Sequence, residues 1–468
     1  MSTERYDFAI IGAGSVGLIA ADFAVKLGAR VALLERERIG GDCTWSGCVP
    51  SKSLLKVAKV AHDLRSASTF GIQSQPPVVD MVQVREYLRS TIQQIYQGTT
   101  PEALQQKGMD IALGPVRFVD PHTLLVGAQR VTAKKILIAT GAEPVLPSLP
   151  GLSEVSFSTY RQIFENDRLP ASMVVIGGGP VGVEVAQAYQ RLGTQVTIFA
   201  ERLLPKEEPD ASEILRRVLE REGLHIVPER ALSVARSGNR TRVHSQQHQV
   251  ECDLLFVAAG RKPALDGLNL EAAGITYSDR GIEVNSTLQT STSTIYAAGD
   301  VLGGEQFSHL AGWQGFQAAR NALLPGSNAG FTSVMPRVTF TDPEVAQVGM
   351  TSAEALAAHP DGVVSTWPID RVDRAVCDND RDGMIKIITT RAGTILGATI
   401  VGRRAGEAIM EIVLAMQQKL KVHDLASTIH PYPTYNSGIQ LLATEMAVEH
   451  TLAGISGSMI RTASRFAR

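Results

Sequence analysis

Two cysteines stand five residues apart in the segment Gly40-Gly41-Asp42-Cys43-Thr44-Trp45-Ser46-Gly47-Cys48-Val49-Pro50-Ser51-Lys52. Residues five apart do not share a face of a regular helix, where neighbours lie three and four apart. A bond between Cys43 and Cys48 therefore needs a non-helical or distorted loop, which Gly47 makes easier. Pro50 suits the first turn of a helix, where its missing N–H costs nothing. Cys48 is then expected beside a helix N-terminus, which lowers a thiol pKa and favours the thiolate, and Lys52 adds positive charge one turn on. A reactive thiol is well served by this setting. The alternatives are a metal pair or a structural disulfide. No third and fourth Cys or His ligand lies nearby, which argues against zinc and against any resident metal. The chain has four cysteines in 468 residues, too few for a disulfide scaffold, and the isolated Cys252 and Cys377 read as small packing hydrophobes.

The elements that must position this pair repeat a pattern. A short apolar strand, a glycine-rich turn, an amphipathic segment and a second strand occur at Phe8 to Glu35 and again at Val174 to Phe199. Each reads as a βαβ unit carrying a dinucleotide-binding turn. In the first, Gly12 allows the tight turn, Gly14 lets a pyrophosphate approach the backbone, and Gly17 permits close helix–strand packing. The following helix N-terminus offers free N–H groups to phosphate. Glu35, 23 residues after Gly12, ends the second strand where a carboxylate binds ribose hydroxyls. The second unit carries Gly177, Gly179 and Gly182 but ends in Ala200, Glu201 and Arg202 instead of an acid. The missing acid removes the clearest NAD signal. Arg202 suits a 2′-phosphate although Glu201 would repel it, so NADPH is favoured and NADH remains possible.

Around these units, Ser51 to Gln106 reads as helical, and the prolines of Pro144 to Pro150 read as a hinge or linker. Leu254 to Val257 and Ile295 to Asp300 read as strands ending in turns at Gly260 and Gly299. From about Val334 the character changes to strands (338–340, 385–388, 395–401) followed by helices over 406–418 and 437–448, a separate α+β domain. The fold class is therefore α/β, with two Rossmann-like domains and a C-terminal α+β domain. A net charge of −2, from 45 basic and 47 acidic residues, gives no reason to expect nucleic acid. No apolar run reaches the ~18 residues of a membrane span, and no signal-peptide core precedes the first strand, so the expected location is the cytoplasm.

With these segments in this order, nearly the whole chain resembles the flavoprotein disulfide reductases, among them dihydrolipoamide dehydrogenase, glutathione reductase and mercuric reductase. The resemblance rests on the Gly12 fingerprint, Cys43 to Lys52, Ala139-Thr140-Gly141, the Gly177 fingerprint with Glu184, Ala259-Gly260-Arg261, Ala298-Gly299-Asp300 and Thr341-Asp342-Pro343-Glu344. The run Gly47-Cys48-Val49-Pro50-Ser51-Lys52 is most like mercuric reductases, while Thr44-Trp45-Ser46 departs from the commoner loop. The resemblance implies FAD-binding residues 1–148 and 276–333, an NAD(P)H-binding stretch 149–275 and a dimerisation domain 334–468. It implies that Asp300 binds the FAD ribityl chain and Glu35 its ribose, and that Gly41, Thr140, Gly141, Gly260 and His309 belong to the cofactor sites. Lys52 would sit near the flavin, paired with Glu184. Cys48 would be the flavin-side thiol and Cys43 the interchange thiol that meets the substrate. A homodimer is implied, with each active site completed by the partner's C-terminal segment.

One departure bears on the acceptor. The family motif places a catalytic histidine before Pro-Thr and a glutamate five residues after that histidine. Here the segment is His430-Pro431-Tyr432-Pro433-Thr434-Tyr435-Asn436-Ser437, so Tyr432 replaces the histidine and Ser437 the glutamate, with His430 two residues early. Tyrosine, with a pKa of about 10, is a poor base at neutral pH but a competent donor. Mercuric reductases also carry tyrosine here, but this chain has no cysteine after Cys377, and its tail 457–468 offers no thiol pair to hand over metal. An acceptor needing little proton assistance fits best: Hg(II) or another soft metal, an oxidised-sulfur species, or a quinone or dye by direct flavin contact; a disulfide stays among the acceptors, but its efficient reduction would call for the missing base. Two further readings stand beside this one. The first is a flavin reductase of quinones or oxygen that makes no use of the thiols, and the second a non-enzymatic redox sensor.

Overall fold

The computed structural model of the protein describes residues 5–453, so the tail 457–468 lies outside the described residues. The chain forms two compact units, one of residues up to 177 with 191–194 and 231–332, the other of 178–190, 195–230 and 333 onward.

In the first unit, β1 (Tyr6–Ile11), α1 (Ser15–Lys26) and β2 (Val31–Glu35) make the expected βαβ. Five parallel strands lie side by side in the order Met109–Leu113, β2, β1, Gln129–Ile138 and Ile295–Ala297. An antiparallel pair, Val116–Asp120 and Thr123–Val126, joins the same sheet through Gln129–Ile138. The sheet is covered on both faces. Phe8 and Ile10 share one core with Ala20, Ala24 and Ala318, while Ala9 and Ile11 share the other with Phe118, Leu124 and Ile136. Strand side chains alternate faces, so a run that is apolar at every position marks a strand buried on both.

Between β2 and Met109 the chain is helical, as expected: α2 (Gly41–Trp45), α3 (Cys48–Ser66), Met81–Tyr96 and Pro101–Gln106. Asp80 and Thr100 accept first-turn N–H bonds at the last two helices, and Pro101 takes a first helical position. The proline-rich segment begins otherwise than a hinge would. Ala142–Pro144 is a strand paired antiparallel with Arg261–Pro263, Val145 N–H bonds the Gly260 carbonyl, and the Thr140 hydroxyl donates to the Ala264 carbonyl at 2.8 Å. A two-stranded ribbon is all edge, and an edge tolerates a residue without an N–H. This ribbon brings the Thr140-Gly141 and Gly260-Arg261 turns together.

The second glycine-rich motif joins Ser172–Ile176 to the helix Pro180–Leu192, and the division between the units falls within its Gly177-Gly179 turn. Ser172–Ile176 pairs in parallel with Leu254–Val257 in the first unit, and Gln195–Phe199 with His225–Val227 in the second.

The second unit also contains a five-stranded antiparallel sheet in the order Arg337–Thr339, Glu344–Gly349, Ile395–Gly402, Met384–Thr389 and Val363–Pro368. Helices Ala405–Gln417 and Ser437–Ala453 close one core with it, through Ile409, Ile412, Ile439 and Leu442 against Ile385, Ile387 and Ile400. Two of these strands, Glu344–Gly349 and Val363–Pro368, were not expected. The second is a largely exposed edge strand, which leaves no apolar alternation to read. No described helix is long and apolar enough to cross a membrane.

Candidate functional site

The nucleotide cradle of the first unit is built by close backbone approach. A Cβ at Gly17 would lie 1.9 Å from the Gly12 carbonyl oxygen, so α1 starts hard against the turn and only glycine fits. No side chain caps α1 at Gly14, and its first N–H groups stay available to a phosphate. Glu35 accepts the Ala13 N–H at 2.8 Å and the Glu37 N–H at 2.7 Å, which fixes its carboxylate beside the turn. Gly41 has φ +60°, and a Cβ there would come within 2.8 Å of the Gly14 Cα. The segment leading to the cysteines thus crosses directly over the phosphate turn. A glycine cradle, an uncapped helix end and a held carboxylate fit the pyrophosphate and ribose of FAD.

Cys43 lies within α2 and Cys48 is the first residue of α3, so the two sit on separate helices broken at Ser46-Gly47. This is the distorted connection that the spacing demands. The two side chains are hydrogen-bonded to each other. The Cys43 thiol is pushed far above its usual range, first by that hydrogen bond, then by burial and the charge on Cys48. Burial and the neighbouring sulfur thus favour the protonated form of Cys43. Cys48 Sγ is 3.2 Å from Ser308 Oγ, on the first residue of the helix Ser308–Leu323. Lys52 is half-buried one turn into α3, and His309, beside Ser308, is exposed with its ring 5.4 Å from that of Phe307.

Side chains on either side of Cys43 pin α2. Asp42 accepts the Tyr160 hydroxyl at 2.8 Å and the Arg261 guanidinium at 3.0 Å, and Arg261 also reaches Asp300 at 2.7 Å. Burial raises the Asp300 carboxyl above its ordinary value against the opposing charge of Arg261. Burial likewise pushes Tyr160 up to about 12. Two residues past Cys43, the Trp45 indole N–H donates to the Ile39 carbonyl at 2.8 Å. Its ring packs 5.0 Å from Tyr96 and 4.5 Å from the Arg38 guanidinium. Trp45 is thereby an anchor for the helix.

In the second unit, Glu184 is buried on the helix Pro180–Leu192, which also carries Gly182, and accepts the Phe340 N–H at 2.8 Å. Arg202 is exposed and donates to the Pro205 and Glu207 carbonyls at 2.8 and 2.9 Å. Glu201 is paired with Arg230 at 2.8 Å, so its charge is partly matched beside Arg202. His430 and Tyr432 have different partners. The His430 side chain is 5% exposed, with Nε2 2.7 Å from Glu411 and Nδ1 2.9 Å from the Thr428 carbonyl, so both ring nitrogens face acceptors. Asn436 holds the other Glu411 oxygen at 2.9 Å. Tyr432 is 74% exposed and donates to Asp373 at 2.6 Å, a hydrogen bond that raises its pKa further and leaves it a donor.

Sequence reasoning missed Ser308, Asp42, Tyr160 and Glu411, and quoted Arg261 without giving it a role. Glu411 stands 19 positions before His430, on the helix Ala405–Gln417, while the motif directed attention to Ser437. Ser308, Tyr160 and Glu411 carry no local pattern that marks them, whereas Asp42 and Arg261 stand inside motifs already quoted.

The pyridine nucleotide-disulphide oxidoreductase family model matches residues 6–323, and that family's dimerisation-domain model matches 335–443. The mercuric reductase of Staphylococcus aureus is 35% identical over 447 residues, covering 94% of this chain and 82% of that protein. The dihydrolipoyl dehydrogenase of Thermus scotoductus is 34% identical over 448 residues, 93% of this chain and 96% of that one. Among solved structures, the HOCl-induced flavoprotein disulfide reductase RclA from Escherichia coli superposes with a TM-score of 0.85 at 27% identity, covering 94% and 99% of the two chains. Its Cu(II) complex gives 0.84, covering 95% and 100%. With its glycine cradle, its paired thiols and these matches along nearly its whole length, the chain belongs to the pyridine nucleotide-disulphide oxidoreductases and is a flavoprotein disulfide reductase-type enzyme.

Proposed function

We propose that this enzyme draws electrons from NADPH through FAD to the Cys43–Cys48 pair and delivers them to a soft metal ion or an oxidised-sulfur acceptor. The observation that carries the reading is the placement of the thiols: Cys43 and Cys48 sit on two helices broken at Ser46-Gly47, in a segment that crosses over the nucleotide cradle. Gly12, Gly14 and Gly17 with the α1 N-terminus would hold the FAD pyrophosphate, Glu35 the ribose and Asp300 the ribityl chain. The chemistry FAD supplies when bound is two-electron transfer between nicotinamide and the disulfide. Lys52, half-buried one turn into α3, would hold positive charge near the ring, and Arg202 would meet the 2′-phosphate. Cys43, on the far side of the pair from the flavin, would meet the acceptor.

Two thiolates are a soft ligand set, suited to Hg(II) or a copper ion. The mercuric reductase named among the relatives and the Cu(II) complex of the E. coli enzyme point the same way. Tyr432, a donor and a weak base, supports acceptors that need no general base. The domain assignment that accompanies this reading is FAD binding by 1–148 and 276–333, nicotinamide binding by 149–275 and dimerisation by 334–468. The working form is a cytoplasmic homodimer in which the Tyr432 segment of one protomer completes the site of the other.

Anaerobic titration with NADPH and separately with NADH tests the core. A long-wavelength charge-transfer band at two-electron reduction, absent in Cys48→Ser, is expected, followed by a drop of roughly 100-fold or more in metal and disulfide turnover for Cys43→Ser and Cys48→Ser. Unchanged turnover in the double variant would sink the thiol pathway and leave direct reduction of quinone or oxygen by the flavin.

A further inference from the structure

The sulfur of Cys48 lies between two helix starts. It belongs to the first residue of the 19-residue α3, and 3.2 Å away stands the hydroxyl of Ser308, the first residue of the 16-residue helix Ser308–Leu323. Neither helix has a side-chain cap bond at its N-terminus, so both leave their first N–H groups and positive dipole ends uncancelled by a side chain. While Cys48 is a thiol, either atom of the Ser308 contact can donate. Once Cys48 is a thiolate it can only accept, so Ser308 must be the donor. A hydrogen bond to an anion is shorter and stronger than one between neutral groups, so this contact favours the charged sulfur. The same hydroxyl also reaches Cys43 and pulls that thiol down, against the larger upward push of Cys48 and burial.

We infer that Ser308 is a catalytic residue: its hydroxyl, with the N-terminus of its helix, stabilises the Cys48 thiolate that forms when the disulfide is reduced. This rests on the reading of Cys48 as the flavin-side thiol. The role matters in this chain because Tyr432 and Ser437 occupy the positions of the family's His and Glu. With tyrosine and serine there, favouring the thiolate falls more heavily on groups in the cysteine's own unit, and Ser308 is in that unit. The hydroxyl keeps its proton throughout. It supplies a fixed dipole and takes no part in the redox balance.

The test compares full-length, FAD-loaded wild type with Ser308→Ala and Ser308→Thr. The first readout is the pH midpoint of the charge-transfer band at two-electron reduction. The second is the pH profile of Cys48 alkylation by iodoacetamide, followed by mass spectrometry, which does not depend on turnover. Ser308→Ala is expected to raise both midpoints by about one to two units, a tenfold to hundredfold loss of thiolate at a given lower pH. Ser308→Thr keeps the hydroxyl and is expected to restore both. Midpoints in Ser308→Ala within about 0.3 unit of wild type would overturn the inference, as would a threonine variant that behaves like alanine. If wild type shows no charge-transfer band but the alkylation midpoint still shifts in Ser308→Ala, the role of Ser308 stands and the flavin-side assignment of Cys48 fails. A wild-type band that Ser308→Ala leaves unmoved means the reverse: Cys48 faces the flavin, and Ser308 has no part in its ionisation.

Discussion

Two neighbouring charges, Glu201 and Arg202, conflict when read in one dimension, since the acid beside the arginine argues against a phosphate. In the fold they are separated by their partners: Arg230 takes Glu201, and Arg202 anchors part of its guanidinium on the Pro205 and Glu207 carbonyls. An anchored guanidinium has less freedom to lose on binding a phosphate. Arg202→Ala is therefore expected to raise KM for NADPH about tenfold, with kcat and the KM for NADH nearly unchanged, as steady-state kinetics with both donors would reveal. Equal effects on the two donors would remove the 2′-phosphate assignment. The thiols follow the same logic. The five-residue spacing predicts a break between helices, but only packing shows that burial and the neighbouring sulfur push the Cys43 thiol up.

Among elements, the helix Ala405–Gln417 illustrates how a titrating group enters the fold. Its Gly406 N–H is accepted by Glu344 at 2.9 Å, on the strand Glu344–Gly349. Burial, with the nearby carboxylates of Glu407, Asp342 and Glu184, raises Glu344 from 4.5 to about 7. Between those values the folded protein holds a proton that the unfolded chain has released. This contribution to stability is complete below about pH 4.5 and is lost as the pH rises through about 7. Glu344→Gln keeps the acceptor and removes the titration. Its thermal midpoint should match wild type in acid and exceed it at about pH 8 by the equivalent of roughly 1–3 kcal/mol. A variant that is less stable at both pH values would show that the charged form is the one the fold prefers. The helices and buried strands themselves were readable, since Asp80, Thr100 and Pro101 mark helix starts and unbroken apolar runs mark strands. The edge strand Val363–Pro368 and the ribbon Ala142–Pro144 were not, because neither buries a regular face and each is defined by its partner strand.

For the whole molecule, the dimerisation-domain match and the placement of Tyr432 in that domain lead to a complementation test. Cys48→Ser chains and His430→Ala/Tyr432→Ala chains should each be inactive alone. Co-expressed, they should recover about a quarter of wild-type activity, because half the dimers are mixed and each mixed dimer has one intact site. Recovery at background level would mean that each chain completes its own site. By itself, the sequence determined the glycine cradle, the carboxylate at Glu35, the cysteine pair on its broken helix and the succession of α/β and α+β segments. These follow from local demands: a turn that admits only glycine, a helix start that accepts proline, a strand apolar at every position. Only the tertiary structure decided the partners of the reacting groups. Ser308 meets Cys48 across 260 residues, Arg261 meets Asp42 across 219, and Glu411 supplies the carboxylate that Ser437 does not. Such pairs arise where packing excludes water and brings distant polar atoms within hydrogen-bond distance, and no short-range pattern encodes that.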